Sequence, residues 1–275
     1  MLNALTFDIE EWFQVTSFDS LIKIDELSNY ESRVVDETLK LLCILQEYET
    51  KATFFVLGYV ADKHPEIIRM IADHGHEVAI HGYLHKLVCD SSPEEFSKEL
   101  VASKEIIEQI IGQEVVGYRA PSYSITDSTR WAFDILEENG IKYDSSIIPG
   151  RSRFGISDSR KFPYKISKKG NLMEFPVSTI SIFGKLVPFS GGLFLRIFPY
   201  FFIKSSIKKI NSMGNPAMIY IHPWELDINH PKVDISIKKK FIHYFNLKST
   251  EKKLNSLVKD FMFAPVKEII LLNEQ

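Results

Sequence analysis

Short apolar or β-branched runs alternate along this chain with stretches of helical period, and that rhythm limits the folds open to it. The runs lie at Ala4–Phe7, Ala52–Leu57, Glu77–Ile80, Val115–Tyr118, Ile141–Tyr143, Leu172–Val177 and Ala217–Ile221. Strands separated by helices pair most readily in parallel, through right-handed crossovers that lay the helices on the sheet. About seven strands approaches the number that closes a barrel. The expectation is an α/β fold, a distorted (β/α) barrel of about seven parallel strands. An open, doubly wound sheet has the same periodicity.

The helix signals are local. Leu39, Leu42, Ile44 and Leu45 recur on one face after Glu37. Pro65 opens a segment bearing Ile67, Ile68 and Ile71, and Gly75 closes it. Ser92, Pro93 and Glu95 form a capping box that starts a long helix toward Ile111. Trp131, Phe133, Ile135 and Leu136 belong to a helix that Gly140 ends. Thr250 is expected to cap a segment carrying Leu254, Leu257 and Phe261. No linker, repeat or low-complexity stretch interrupts the sequence, so residues 1–275 are expected to form a single domain.

Composition excludes several classes. With 45% hydrophobic and 25% charged residues the chain is an ordinary globular one. A net charge of −3 gives no overall basic excess, so neither nucleic acid nor an anionic membrane is expected as the main partner. Cys43 and Cys89 make neither a disulfide scaffold nor a cysteine zinc site. The stretch Leu193–Ile203 is too short to span a bilayer and carries Arg196 and Pro199, so no transmembrane segment is expected. It reads more readily as a core helix than as an interaction surface. The N-terminus lacks a signal-peptide pattern, and the expectation is a cytoplasmic protein, peripheral to a membrane at most. A homo-oligomer is left open.

Five chemically able side chains fall at the C-terminal ends of expected strands: Asp8, His81, Arg119, Asp144 and His222. That rim is where parallel α/β folds assemble their sites. His81 and His85 are four apart, a spacing that places both imidazoles on one side of a helical turn and within reach of one ion. Two unrelated loop histidines are the plainer reading of such a pair. Asp8-Ile9-Glu10-Glu11 offers carboxylates; a solvated acidic turn is the plainer reading there. Two histidines and one carboxylate would leave coordination positions open for water and substrate. Arg119 could equally serve a structural salt bridge, and Asp144 a strand-end turn. His64, His74, His76, His230 and His243 lack matched partners in sequence and are given no role.

Together these residues resemble the polysaccharide deacetylase family with the NodB homology domain, carbohydrate esterase family 4. The resemblance runs from Leu5 to about Pro265. Its motifs appear in order as Thr6-Phe7-Asp8-Ile9-Glu10, His81-Gly82-Tyr83-Leu84-His85, Arg119-Ala120-Pro121-Ser122, Asp144-Ser145-Ser146 and Ile219-Tyr220-Ile221-His222. Ala52 to Gly58 resembles the family's second strand. Ser190-Gly191-Gly192, Arg196 to Tyr200, His222-Pro223-Trp224-Glu225 and His243-Tyr244 resemble a subgroup linked to bacterial exopolysaccharide loci. That subgroup carries a C-terminal extension, here from about residue 185, and is similar to a branch containing a peptidoglycan deacetylase and an allantoinase-like hydrolase.

The resemblance implies removal of N-acetyl groups from the amino sugars of a glycan, with one divalent metal ion. Zinc is the expected ion, and cobalt, nickel and iron stay open. It implies Asp8 as general base, Glu10, His81 and His85 as metal ligands, and His222 as general acid. It further implies Arg119 orienting Asp8 and Asp144 holding His222. The Ser122 backbone N–H would serve a developing oxyanion, Ile219 would line an acetyl pocket, and Trp224 would contact substrate. Most members have adjacent aspartates in the first motif, whereas Ile9 separates Asp8 from Glu10 here. Strand alternation lets both face a pocket while Ile9 points away, and Glu11 replaces Glu10 if the strand ends earlier. A cyclic-amide hydrolase and a non-catalytic glycan-assembly partner are the rival readings.

Overall fold

The computed structural model describes residues 1–18, 21–150, 155–166 and 170–273. Strand β1 (Asn3–Ile9) is buried at every residue. Helix α1 (Val34–Glu47) leads to β2 (Thr53–Val56), and α2 (Gly58–Lys63) and α3 (Pro65–Asp73) lead to β3 (Glu77–Ile80). Helix α4 (Pro93–Ile111) precedes β4 (Gly117–Tyr118), and α5 (Trp131–Glu138) precedes β5 (Tyr143–Asp144). Then follow β6 (Tyr164–Lys165), β7 (Met173–Glu174), and a hairpin of β8 (Thr179–Ile182) and β9 (Lys185–Pro188). Helices α6 (Gly192–Ile197) and α7 (Tyr200–Ser212) lead to β10 (Met218–Ile221). The chain continues with α8 (Ile237–Tyr244), α9 (Lys248–Asp260), β11 (Phe263–Ala264) and α10 (Val266–Asn273).

The sheet order is β10-β1-β2-β3-β4-β5-β7-β6, with β11 also beside β1. Strands β10 through β7 in that order pair in parallel; only β6 runs antiparallel. The fold is thus the expected α/β one, with a parallel sheet curled into a half-barrel. Among the described residues no ladder joins β7 to β10. The gap is bridged by other means: Ser178 Oγ accepts the Met218 N–H at 2.8 Å, and the Tyr220 N–H reaches the Ser190 carbonyl at 3.0 Å. Gly191 is required there, because a Cβ would lie 2.2 Å from the Tyr220 ring.

Alternation along β1 divides the core. Leu5, Phe7 and Ile9 pack outward with Leu41, Leu45, Ile68 and their neighbours beneath the helices. Thr6 and Asp8 face the concave side, where Arg119 reaches both. A smaller aromatic cluster, including Trp12, Phe13, Phe18 and Trp224, covers the end of the sheet where the strands point.

The capping box at Ser92 forms as expected, with reciprocal bonds to Glu95. Other expectations are corrected. Thr250 lies inside α9, which begins at Lys248 after a Leu247 cap. The run Leu193–Ile203 is two helices parted at Phe198-Pro199, since a proline pushes the preceding residue out of helical geometry. Leu195 and Ile203 are buried there, but Phe194, Ile197 and Phe201 are exposed, so the run is half core and half surface.

Glu37 generates a prediction. Its carboxyl is buried in α1 with neither oxygen hydrogen-bonded. Burial first, then the charges of Glu11 and Asp227, push it from 4.5 up to about 8. The folded state therefore keeps a proton that the unfolded chain releases. Stability present below pH 4.5 is lost as pH rises toward 8. Glu37→Gln should raise the thermal midpoint at pH 8 by about 3 °C or more and leave it nearly unchanged at pH 4, as measured by thermal melts. Equal shifts at both pH values would contradict this.

Candidate metal centre

Glu10 follows β1, and the alternation that buries Ile9 among the outer side chains turns Asp8 and Glu10 into the cavity. His81 follows β3. Its Nδ1–H donates to the Arg119 carbonyl at 2.8 Å, which turns Nε2 toward Glu10 Oε2 at 3.7 Å. His85 Nε2 lies 3.1 Å from the same oxygen. One ligand atom from each of Glu10, His81 and His85 lies within 4.8 Å of the others, and all three residues are buried.

The segment that carries the two histidines is a loop, not the helical turn its spacing suggests. His85 adopts a left-handed backbone, with φ of 62°. Gly82 has φ of 79°, a conformation that glycine adopts without strain. The imidazoles converge through this turn rather than through helical stacking.

The donor set fits a cation. Glu10 Oε1 accepts the Trp224 indole N–H at 3.1 Å, but Oε2 is buried without a hydrogen-bond partner. Such an orphaned oxygen is costly unless something occupies its lone pairs. Burial pushes the Glu10 carboxyl up, yet the neighbouring His85, His222 and His81 rings outweigh it and hold the pKa well below the usual range. Glu11 does not share the cavity. Its carboxylate accepts from Ser32 Oγ and from the Arg33 N–H at 3.1 Å, and it lies 4.0 Å from His64.

Asp8 sits on the other side of the cluster. Arg119 Nη1 donates to Asp8 Oδ1 at 2.6 Å and to Thr6 Oγ1 at 2.9 Å. The remaining guanidinium donors go to the Ser145 carbonyl, the Ser145 hydroxyl and Met218 Sδ. One nitrogen, not a bidentate fork, therefore holds Asp8. Asp8 Oδ2 is 3.8 Å from His222 Nε2.

The partner of His222 differs from the expectation. Its Nδ1–H donates to Glu225 Oε1 at 2.7 Å, and Arg196 Nε pairs with Glu225 Oε2 at 2.8 Å. Burial disfavours the imidazolium, but the carboxylates of Glu10, Glu225 and Asp8 outweigh it and lift the pKa to about 9. Asp144 instead accepts from Ser146 Oγ at 2.5 Å and lies beside Glu174. Burial raises Asp144 to about 6 and Glu174 well above its ordinary value, so this pair retains a proton. Asp144 acts on the site only at a distance: the Ser146 hydroxyl it binds also accepts the Ala120 N–H at 2.8 Å.

Two further expectations are corrected. Ile219 packs in the outer core and lines no acetyl pocket, because residues three apart on a strand face opposite ways. Trp224 gives its N–H to Glu10, while its ring stacks on His222 at 5.0 Å and on His243 at 4.3 Å. It holds Glu10, and its faces are taken up by the two imidazoles rather than offered to substrate. Ser122 lines the cavity with φ of 52°, a strained backbone for serine.

Sequence reasoning missed Glu225, Arg196 and His243. The three-residue spacing from His222 to Glu225 and the lone arginine in an apolar run were the available signals. Arg196 is buried, and besides Glu225 it binds the carbonyls of Ile242, His243 and Phe245. The cavity bounded by these groups measures about 180 Å3, with Val15, Thr16, Gly192 and Leu193 on its rim.

The profile of the polysaccharide deacetylase family matches residues 4–143, and that of a domain of unknown function, DUF3473, matches residues 145–271. A peptidoglycan deacetylase of Helicobacter pylori is 32% identical over 135 residues, 47% of this chain and 45% of that protein. A peptidoglycan-N-acetylglucosamine deacetylase of Bacillus cereus is 28% identical over 120 residues, 39% of this chain and 44% of its own. The chain thus spans under half the length of these curated relatives. A crystal structure of a putative polysaccharide deacetylase from Mycobacterium smegmatis shares the fold, with TM-score 0.63 and 24% identity over 98% of this chain and 88% of that one. The Puue allantoinase structure shares it too, with TM-score 0.59 and 14% identity over the same shares. With half of its length matched by the family profile, the half-barrel chain described here belongs to the polysaccharide deacetylase family.

Proposed function

We propose that this protein is a metal-dependent hydrolase that removes N-acetyl groups from the amino sugars of a bacterial exopolysaccharide or cell-wall glycan. The observation that carries the reading is the convergence of Glu10, His81 and His85 within 4.8 Å in a cavity that also holds Asp8 and His222. The names of the curated relatives support a glycan substrate.

A divalent ion, zinc by this ligand set, would supply Lewis acidity that polarises an acetamide carbonyl and acidifies water. Asp8 takes the proton from the attacking water. Arg119 fixes one of its oxygens and leaves the other facing the cavity. The Ser122 backbone N–H steadies negative charge developing on the acetyl oxygen. His222, cationic because its pKa lies at about 9, delivers the Nε2 proton to the departing amine. Glu225 holds its Nδ1–H throughout. A cavity of about 180 Å3 takes the acetamido group and leaves the polymer outside on the rim.

Two measurements test this. Metal analysis should find one ion per chain in the wild type and in Glu11→Gln, and none in His81→Ala or Glu10→Ala. Retained metal in both of the latter would remove the proposed ligand set. Acetate release from chitooligosaccharides should fall by about a hundredfold or more in Asp8→Asn, the range for loss of a general base, with metal content unchanged. Wild-type turnover by that variant, or hydrolysis of a cyclic ureide without acetate release, would overturn the reading.

A further inference from the structure

The chain's charge is unevenly spread. Between residues 175 and 250 there are ten Lys and Arg against three Asp and Glu, in a protein whose net charge is −3. From residue 175 to residue 224 there is no acidic side chain at all. This segment also carries exposed apolar groups. In α8, His243 is the only residue fully buried. Ile237 is 87% exposed and Phe241 48%, and between them lie Lys238, Lys239 and Lys240. Phe241 packs on Phe245 at 4.6 Å with both rings still partly in solvent. On α6 and α7, Phe194, Ile197 and Phe201 are exposed, Phe201 at 75%, and α7 adds Lys208 and Lys209 at the surface.

Helices α6 and α8 are tied together and border the site, and α7 continues from α6 through the Phe194-Phe198-Phe202 ring contacts. Arg196 of α6 binds the carbonyls of Ile242, His243 and Phe245 at the end of α8. Asn246 Nδ2 returns a bond to the Arg196 carbonyl at 2.9 Å. Gly192, Leu193 and Arg196 from α6 and Ile242 and His243 from α8 form one wall of the catalytic cavity. Side chains on the outer sides of the same helices are the exposed apolar ones.

We propose that the outer face of α6, α7 and α8 docks on an anionic lipid bilayer. Aromatic and aliphatic side chains interleaved with lysines suit that surface: the rings enter the headgroup boundary while lysine ammonium groups reach lipid phosphates, Lys240 by exchanging its 2.8 Å pair with Asp234. Among the described residues no helix is long and apolar enough to cross a membrane, so the contact is peripheral. A second copy of the chain suits the face less well, because a symmetric contact would bring the lysine runs of both α8 helices into one interface. Docking would hold the cavity wall that α6 and α8 build beside the lipid surface.

Co-sedimentation of the full chain with vesicles tests this without reference to catalysis. Vesicles of phosphatidylcholine with phosphatidylglycerol should retain the protein at low salt and release it as salt rises, and phosphatidylcholine alone should not retain it. Lys238→Gln/Lys239→Gln/Lys240→Gln and, separately, Phe201→Ser/Ile237→Ser should each weaken partitioning by about tenfold or more. All five side chains lie outside the cavity lining, and the wild-type thermal midpoint should be preserved. The proposal is overturned if binding is equal on both vesicle types, if either variant binds at full strength, or if the face proves to join two copies. Sedimentation velocity would show that last case as a dimer that Phe201→Ser/Ile237→Ser dissolves.

Discussion

A single buried guanidinium ties the half-barrel to its site. Arg119 leaves the end of β4 and reaches Asp8 and Thr6 on β1, Ser145 beyond β5 and Met218 on β10. The Phe55 ring lies 4.0 Å from its central carbon. Its own carbonyl fixes the tautomer of His81. One residue thus orients the proposed base and one proposed ligand while holding elements from across the curled sheet at a set separation. Removing one partner of such a buried pair costs about 3–5 kcal/mol, because the other charge is left uncompensated.

The polar groups around the cavity divide into two sets by partner. Asp8 answers to Arg119, and His222 answers to Glu225 and through it to Arg196. The second set is built by the C-terminal part of the chain, since Arg196 also gathers the carbonyls at the end of α8. Trp224 ties the second set to Glu10, with its N–H on that carboxylate and its faces against His222 and His243. The segment after residue 185 is therefore part of the site wall and also supplies the basic, apolar outer face.

Much of this was legible in the sequence. Parallel strands, their order of appearance and the placement of Asp8, His81, Arg119 and His222 at strand ends follow from apolar runs and period-two alternation. The same alternation separates Asp8 and Glu10 from Ile9, and it should have removed Ile219 from the cavity, three residues before His222. The partner of His222 was not legible. Asp144 stands at a strand end like the other candidates, whereas Glu225 reaches His222 through a tight turn that strand patterns do not register. The loop that carries His85 depends on positive backbone angles, which residue spacing does not encode. Strands β4, β5 and β7 were expected from their apolar runs but are only two residues each, whereas β6 and the β8–β9 hairpin were not foreseen, being set by neighbours rather than by local preference. Whole-chain charge concealed the basic stretch, because averaging over the acidic remainder cancels it.

The proposed chemistry requires one ion between Glu10, His81 and His85, and locating it is the most direct test. Anomalous diffraction at the zinc edge from crystals grown with zinc should give one strong peak, with His81 and His85 Nε2 at about 2.0–2.1 Å and a Glu10 oxygen at about 2.0–2.2 Å. A peak at Glu11 and His64 instead, or none in this cavity, would contradict it.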